Sequence, residues 1–258
     1  QFIYSRRVNR PWFWYLNPHT DYSSYPYLRS GNPYLKPEYI NSFELSFMQY
    51  FKKGLITPSL FYRNTTDMIS SYIKQITDTV YLTTYENYKS SSSYGLDLTF
   101  QYKLFDFWNL MLNTVFYYNI IDGSNVDASV KSESYGGFAR LNNQFKFKKN
   151  WSMQWMIIYN MPSETGQGKR GSFLGSHLSV QKSWNRLDLG ITVRNLFNTA
   201  RFKVEYYQPS YYSLVENYHG GLSLMCNISY KLTGNYKEKQ QKQLLNTEEN
   251  DNGMNGMY

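Results

Sequence analysis

Gly95-Leu-Asp-Leu-Thr-Phe-Gln-Tyr-Lys-Leu104 alternates apolar and polar side chains with a period of two. In an extended chain, the leucines and aromatic residues of this segment fall on one face, and Asp97, Thr99 and Lys103 fall on the other. About ten residues is also the length that a tilted strand needs to cross a bilayer. The segment therefore predicts a β-strand with one face for an apolar environment and one for water.

The same alternation recurs along the chain. Further strands are predicted at the start of the chain, in segments 42–51, 55–63, 108–118, 139–147, 151–159, 187–194 and 222–232, and between residues 172 and 185. Together they make ten strands that rise and fall in turn. We therefore predict an all-β antiparallel fold over residues 1–232, followed by a polar, disordered periplasmic tail at 233–258.

The connections distinguish a membrane barrel from a soluble sandwich, which shows the same alternation. Short turns are predicted at 52–54, 105–106, 148–150 and 185–186, and long polar loops at 10–38, 64–92, 120–135, 161–172 and 198–218. The two kinds alternate strictly, as the short periplasmic turns and long outer loops of an outer-membrane barrel do. Aromatic residues also gather at both strand ends, as in Phe105, Trp108 and Trp151 beside the short turns and Tyr118 and Tyr159 at the other end.

Composition excludes several classes of protein. Aromatic residues make up 19% of the 258 residues, the mean hydropathy is −0.59, and no apolar run reaches the ~18 residues of a membrane-spanning helix. The net charge of +8 comes from scattered Lys and Arg residues, so we predict no nucleic-acid partner. Cys226 is the single cysteine, and its position in the alternation predicts that it faces lipid.

Three motifs resemble the C-terminal half of a TonB-dependent outer-membrane receptor barrel, in the outer-membrane β-barrel family common in Bacteroidota. They are Tyr4-Ser-Arg-Arg-Val-Asn-Arg-Pro11, Gly31-Asn-Pro-Tyr-Leu-Lys-Pro-Glu38, and Val193-Arg-Asn-Leu-Phe-Asn198. Ile228-Ser-Tyr-Lys-Leu232 is similar to the family's closing strand. The signature positions matched are Gly31, Asn32, Pro33, Leu35, Pro37, Glu38, Asn195, Leu196, Phe197 and Asn198. Because Pro33 and Pro37 fix the backbone of the Gly31–Glu38 motif, we expect that motif to shape a loop rather than to bind a ligand.

The resemblance implies a barrel of about 22 strands whose N-terminal plug carries the TonB-contacting box. On this view the chain supplies the last ten strands, and we expect Gln1 to continue an upstream chain. The implied function is TonB-dependent uptake of a bulky nutrient across the outer membrane. The implied partners are outer-membrane lipid, the plug and, through the plug, TonB; the resemblance also admits a surface lipoprotein. No enzymatic activity and no cofactor are expected.

Exposed aromatic clusters in the outer loops are the predicted ligand contacts, because such side chains bind ligands by stacking and burial. These candidates are Trp12, Trp14, Tyr15, Tyr206, Tyr207, Tyr211 and Tyr212. A second group of charged residues, Asp97, Arg140, Lys146, Asp188, Arg194 and Lys231, is predicted to face the lumen. We expect the basic members to pair with plug carboxylates and with Asp97 and Asp188.

No catalytic or metal-binding pattern emerges from the sequence. His19, His177 and His219 are far apart and lack carboxylate or thiol partners at ligand spacing. Three alternatives stay open. The first is a self-contained ten-stranded barrel enzyme of the omptin type, with Asp21, Asp122 and Asp127 as outer-loop acids. The others are a passive porin or adhesin and a soluble carbohydrate-binding sandwich. The soluble sandwich would bury the alternating apolar faces in a dry core.

Overall fold

The computed structural model describes residues 1–208, 211–218 and 220–232. Almost all regular structure is β-strand. The elements are β1 (Phe2–Asn9), α1 (Phe13–Leu16), β2 (Tyr27–Arg29), β3 (Glu38–Ser46), β4 (Gln49–Phe51), β5 (Gly54–Gln75), β6 (Tyr81–Phe105), β7 (Trp108–Asp122), β8 (Lys131–Phe147), β9 (Trp151–Asn160), β10 (Ser163–Thr165), β11 (Gly168–Arg170), β12 (Phe173–Ser183), β13 (Leu187–Arg194), β14 (Arg201–Gln208), β15 (Tyr211–Tyr218) and β16 (Ser223–Tyr230). In these described ranges no helix is long and apolar enough to span a membrane. The predicted tail at 233–258 lies outside the described residues.

Ten strands form one continuous antiparallel sheet in the order β1-β3-β5-β6-β7-β8-β9-β12-β13-β16. The predicted all-β, ten-stranded antiparallel fold is therefore confirmed. β4 continues the line of β3 along β5, and the break between them lies opposite Pro58, which has no backbone N–H to donate. β2 pairs in parallel with the outer part of β6.

The long connections contain more strand than the sequence pattern indicates. β5 and β6 extend through most of the predicted 64–92 loop and pair as far as Gln75 and Tyr81. The predicted 198–218 loop forms the hairpin β14–β15, and β10 and β11 lie in the predicted 161–172 loop. These stretches are rich in Ser, Thr and Tyr, so they lack an apolar face but keep a β-forming composition. The short turns lie where the sequence predicts them.

One face of the sheet carries a row of aromatic residues on six neighbouring strands. The row consists of Tyr4, Phe43, Tyr62, Tyr94, Tyr118 and Tyr135, each directly opposite the next in the strand register. Ring centroids are 4.9 Å apart for Tyr4 and Phe43 and 5.5 Å apart for Tyr94 and Tyr118. The row has the position and composition of an interfacial aromatic belt.

A second aromatic band lies beside the short turns. It includes the stacked rings of Phe105 and Phe107, 5.6 Å apart, and of Trp108 and Phe145, 5.3 Å apart. Ten residues separate Trp108 from Tyr118 along β7. That rise of about 33 Å becomes roughly 25 Å at a strand tilt of about 40°, the height of the apolar band in outer-membrane barrels.

Two polar side chains on the face that carries the aromatic bands are covered by indole rings. The Trp108 Nε1–H donates to Asn143 Oδ1 at 3.1 Å, and the Trp155 Nε1–H donates to Ser176 Oγ at 3.0 Å. Asn143 and Ser176 are both buried. The tryptophans therefore satisfy polar atoms that lipid could not hydrogen-bond.

Candidate ligand-binding cavities

A second, smaller sheet stands beyond the outer aromatic row, in the strand order β10-β11-β14-β15. Gln167, at the turn between β10 and β11, fastens it to the main sheet. The Gln167 side chain accepts a hydrogen bond from the Ile73 N–H at 2.7 Å and donates one to the Ile73 carbonyl at 2.9 Å. The small sheet therefore faces the outer extension of β5 and β6, and cavities lie between the two sheets.

The larger cavity, of about 590 Å³, opens between β2, the β5–β6 extension and the β14–β15 hairpin. Its lining residues are Ser24, Tyr27, Arg29, Ser71, Ile73, Tyr81, Thr83, Tyr85, Tyr206, Ser213, Leu214 and Val215. Its volume lies within the range of small-molecule sites, about 300–1,000 Å³. Four tyrosines and one arginine make it the best candidate for ligand recognition.

A second cavity of about 330 Å³ adjoins the first. Ser71 and Tyr206 line both cavities, and Glu164, Arg170 and Tyr117 line only the smaller one. Tyr117 stands on β7 on the same face as Asn113 and Asn119, the predicted water face. The smaller cavity therefore connects the outer site to the lumen face of the main sheet.

The first loop supports the larger cavity from behind. Tyr15 stacks on Tyr85 with ring centroids 4.0 Å apart, and the Asn32 Nδ2–H donates to the Tyr85 carbonyl at 3.0 Å. A Cβ atom on Gly31 would lie 2.6 Å from the carbonyl oxygens of Tyr15 and Asn17. Only glycine fits this close approach of two backbones.

The structure brings one of the predicted ligand contacts, Tyr206, into a cavity wall. Tyr15 is a supporting residue rather than a lining one, because its ring packs on Tyr85. The other described candidates, Trp12, Trp14, Tyr207 and Tyr212, are exposed and outside both cavities. The side chain of Tyr211 lies outside the described residues.

Sequence reasoning missed the cavity residues Tyr27, Arg29, Tyr81 and Tyr85. The available signal was period-two spacing within otherwise polar loops, in Tyr27-Leu-Arg29 and in Tyr81-Leu-Thr-Thr-Tyr85. These two segments pair in register, Tyr27 opposite Tyr81 and Arg29 opposite Thr83. Their parallel pairing, across a long separation in sequence, could not be read from either segment alone.

The Gly31–Glu38 motif makes contacts within the fold. Glu38 is buried at 8% exposure, and its two carboxylate oxygens accept from the Asn9 Nδ2–H and the Ile69 N–H, each at 2.6 Å. Leu35 is also buried. Pro33 and Tyr34 form a turn in which the Tyr34 N–H donates to Asn32 Oδ1, and Pro37 restricts the backbone just before β3. Glu38 then enters β3 with its carboxylate turned to β1 and β5.

The Val193–Asn198 motif forms a hydrogen-bonded junction at the base of the β14–β15 hairpin. Asn195 is buried, and its Oδ1 accepts from the backbone N–H groups of Thr199 and Ala200 at 3.0 and 3.1 Å. Asn195 and Asn198 both have positive φ, near 53° and 54°, a conformation that asparagine tolerates better than most residues. The Leu196 N–H donates to Ser176, and the Phe197 ring lies edge-on to Trp155.

The predicted lumen charges do not pair with each other in the described part of the chain. The ion pairs there are Lys89–Asp122, Lys103–Asp106 and Lys203–Glu205. The expected pairing of Arg140, Lys146, Arg194 and Lys231 with Asp97 and Asp188 is therefore wrong within this chain. Asp97 lies on β6 and Arg140 on β8, so that β7 separates their strands.

The candidate acids and histidines do not converge. Asp21, Asp122 and Asp127 each accept hydrogen bonds from a serine two residues later, so all three shape turns. His19 is exposed in the first loop, whereas His177 is on β12 with a buried Nδ1 that lacks a partner in the described chain. His219 lies outside the described residues. The described ranges contain no cluster of His, Cys, Asp and Glu that could hold a metal ion.

The turn between β7 and β8 covers the fully buried ring of Tyr88, which packs against Ile121 and Val130. Hydrogen bonds from Ser124, with Lys89 adding to them, lower the pKa of Asp122 to about 2. The pKa of Asp127 is likewise lowered, first by the Ser129 N–H and then by the Ser129 and Tyr72 hydroxyls. Both carboxylates therefore hold the turn in their ionised form.

We expect this turn to loosen in acid. Because the pKa values in the folded chain lie below the value of about 3.9 for an unfolded aspartate, the carboxylates stabilise the turn above pH ~4 and lose that effect as the pH falls towards 2. Amide exchange over 123–130, corrected for its intrinsic pH dependence, should rise across this interval. In an Asp122→Asn, Asp127→Asn variant the turn should already be loose at pH 7; an unchanged exchange rate would contradict the prediction.

The ten-stranded antiparallel sheet, its two aromatic bands and its short and long connections define a multi-pass β-barrel protein of the outer membrane. The chain belongs to the outer membrane protein beta-barrel family, which it matches over residues 1–230. No curated protein matches the chain significantly.

Solved structures of two receptors and one transporter are similar to the chain in fold. The siderophore receptor PirA from Pseudomonas aeruginosa is 13% identical, with 88% of this chain and 35% of PirA covered at a TM-score of 0.57. The copper transporter OprC is 14% identical, with 88% of this chain and 37% of OprC covered at a TM-score of 0.61. The ferric yersiniabactin uptake receptor FyuA from Yersinia pestis is 16% identical, with 76% of this chain and 30% of FyuA covered at a TM-score of 0.54. The resemblance to TonB-dependent receptor barrels is thereby confirmed for the fold. The chain spans about a third of the length of these structures.

Proposed function

We propose that the chain forms the last ten strands of a TonB-dependent receptor that takes up a bulky nutrient and performs no bond chemistry. The observation that carries the proposal is the ten-stranded sheet with its two aromatic bands, which is similar to about a third of each of several receptors and transporters. β1 and β16 each pair on one side in the described chain, whereas a closed ten-stranded barrel would pair them with each other. This supports a larger barrel.

Each part of the chain has a role in this proposal. The aromatic face contacts outer-membrane lipid, and the two outer cavities capture the nutrient. The unpaired luminal Arg140, Lys146 and Arg194 meet carboxylates of the plug, through which TonB acts. A surface lipoprotein is a further proposed partner, for which the exposed Trp12 and Trp14 offer an apolar surface.

The complete coding sequence tests the proposal. We expect it to continue upstream of Gln1 into further alternating strands, a plug and a TonB box. Site-specific crosslinking from TonB should capture the full-length protein and should fail with a matched protein that lacks only that box. A signal peptide directly before Gln1, with a heat-modifiable ten-stranded monomer that TonB does not contact, would overturn the receptor proposal and favour a self-contained barrel.

A further inference from the structure

The lining of the larger cavity combines ring faces, hydroxyl groups and one positive charge. It contains four tyrosines, three serines, one threonine, three aliphatic residues and Arg29, and no carboxylate or lysine lines it. A cationic ligand would find no opposite charge here. A wholly apolar ligand would remove the hydroxyl groups from water without replacing their hydrogen bonds, which is costly.

Several of these hydroxyl groups are available to a ligand. Those of Tyr27, Tyr206 and Thr83 have no hydrogen-bond partner within the described residues. The rings of Tyr27 and Tyr81 are nearly parallel, with centroids 5.9 Å apart and an interplanar angle of 18°. The cavity therefore offers flat apolar surfaces with hydrogen-bonding groups at their edges.

Arg29 supplies the positive charge at this site. Its side chain is exposed and makes no ion pair within the described part of the chain. Asp21 pairs with Arg29 through an isolated backbone bridge, and the pKa of Asp21 is lowered mainly by hydrogen bonds from Ser23 and further by the positive charge of Arg29. The same charge opposes the rise that burial causes in the pKa of Tyr85. Arg29 lines the cavity together with Tyr85, and its guanidinium group is available to bind an anionic group.

We propose that the larger cavity binds a segment of an acidic oligosaccharide, with tyrosine rings against sugar C–H faces and Arg29 on a carboxylate or sulfate group. A sugar ring alternates apolar C–H faces with edge hydroxyls, and these match the rings and hydroxyls of the lining. A guanidinium group holds a carboxylate or sulfate through charge-assisted hydrogen bonds. This assignment rests on the proposed receptor function, since it names the nutrient that the receptor captures.

Binding to the full-length protein in detergent tests the assignment. The probes are oligomers of galacturonate, alginate, hyaluronan and chondroitin sulfate, each beside a neutral counterpart such as the methyl ester or desulfated chain. Dihydroxybenzoate serves as a planar aromatic anion without sugar hydroxyls. We expect at least one acidic oligomer to bind at least tenfold more tightly than its neutral counterpart.

Variants then locate the site. Arg29→Gln should weaken the acidic oligomer about tenfold or more and its neutral counterpart less than twofold, because only the charge-assisted bond is lost. Tyr206→Ala should weaken both, because a ring face is removed. Arg10→Gln and Tyr34→Ala are matched controls, an exposed arginine and an exposed tyrosine outside the cavity, and should leave both affinities unchanged.

The outcomes separate this assignment from the receptor proposal. The assignment is wrong if no acidic oligomer binds better than its neutral counterpart, if dihydroxybenzoate alone binds, or if Arg29→Gln behaves like Arg10→Gln. TonB crosslinking to the full-length protein is measured independently. Crosslinking without oligosaccharide binding would overturn only the ligand class, and oligosaccharide binding without crosslinking would overturn only the receptor proposal.

Discussion

Replacing Glu38 with alanine is expected to increase amide exchange at Ile69 about 100-fold and to loosen the junction of β1, β3 and β5. The Glu38 carboxylate is buried and bridges the Ile69 N–H and the Asn9 amide. The backbone pairing of β3 with β5 ends at Tyr39 and Thr66, so the side chain continues where the backbone ladder stops. Each hydrogen bond to a charged group contributes about 1.5–3 kcal/mol, and 1.4 kcal/mol is about tenfold.

Two further variants test the reason for that loss. Glu38→Gln keeps an acceptor for Ile69 and should lose about tenfold or less in protection, because one neutral acceptor is weaker than a carboxylate. Glu216→Ala removes an exposed carboxylate on β15, outside the junction of β1, β3 and β5, and should leave the exchange of Ile69 unchanged. Equal protection of Ile69 in Glu38→Ala and Glu216→Ala would contradict the bridging role.

The membrane-spanning part of the fold could be predicted from the sequence because lipid and water impose a period of two on each strand. Residues 95–104 and 108–118 satisfy that pattern, and their register places Tyr94 opposite Tyr118 as an interfacial pair. The structural role of the signature motifs stays a prediction, which rests on the restriction that proline and glycine place on the backbone. The contacts of Glu38 and Gly31, in contrast, are with residues distant in sequence and could not be predicted from the motif alone.

The cavities could not be predicted, because they depend on which loop tops meet in space. Tyr206 reaches the wall that contains Tyr85 only because Gln167 ties the small sheet to Ile73. Gln167 and Ile73 are 94 residues apart, and no period relates them. The exposed Trp12 and Trp14 gave a stronger compositional signal than the cavity tyrosines, although they lie outside both cavities.

The β14–β15 hairpin should lose its fixed position when Asn195 is replaced with alanine, and this is the second large effect that we expect. The Asn195 amide makes three hydrogen bonds, from the Thr199 and Ala200 N–H groups and to the Gly220 carbonyl at 3.0 Å. Alanine would leave these groups without partners and would also occupy a positive φ that it disfavours. Exchange across 199–207 should rise by about 100-fold or more.

Two further variants at this position separate the effect of the lost amide hydrogen bonds from the effect of the positive φ. Asn195→Asp keeps the acceptor for Thr199 and Ala200 and should lose only the bond to Gly220, whereas Asn195→Gly keeps the positive φ and loses all three bonds. If the side-chain hydrogen bonds dominate, the amide exchange rates of Asn195→Gly should resemble those of Asn195→Ala, and those of Asn195→Asp should stay near the native rates. Asn217→Ala, an exposed asparagine on the same hairpin, is the control. Because Asn195 also helps to hold Tyr206 in the cavity wall, Asn195→Ala should weaken ligand binding without altering any lining residue. A native rate of amide exchange across the hairpin in Asn195→Ala would contradict this role of Asn195.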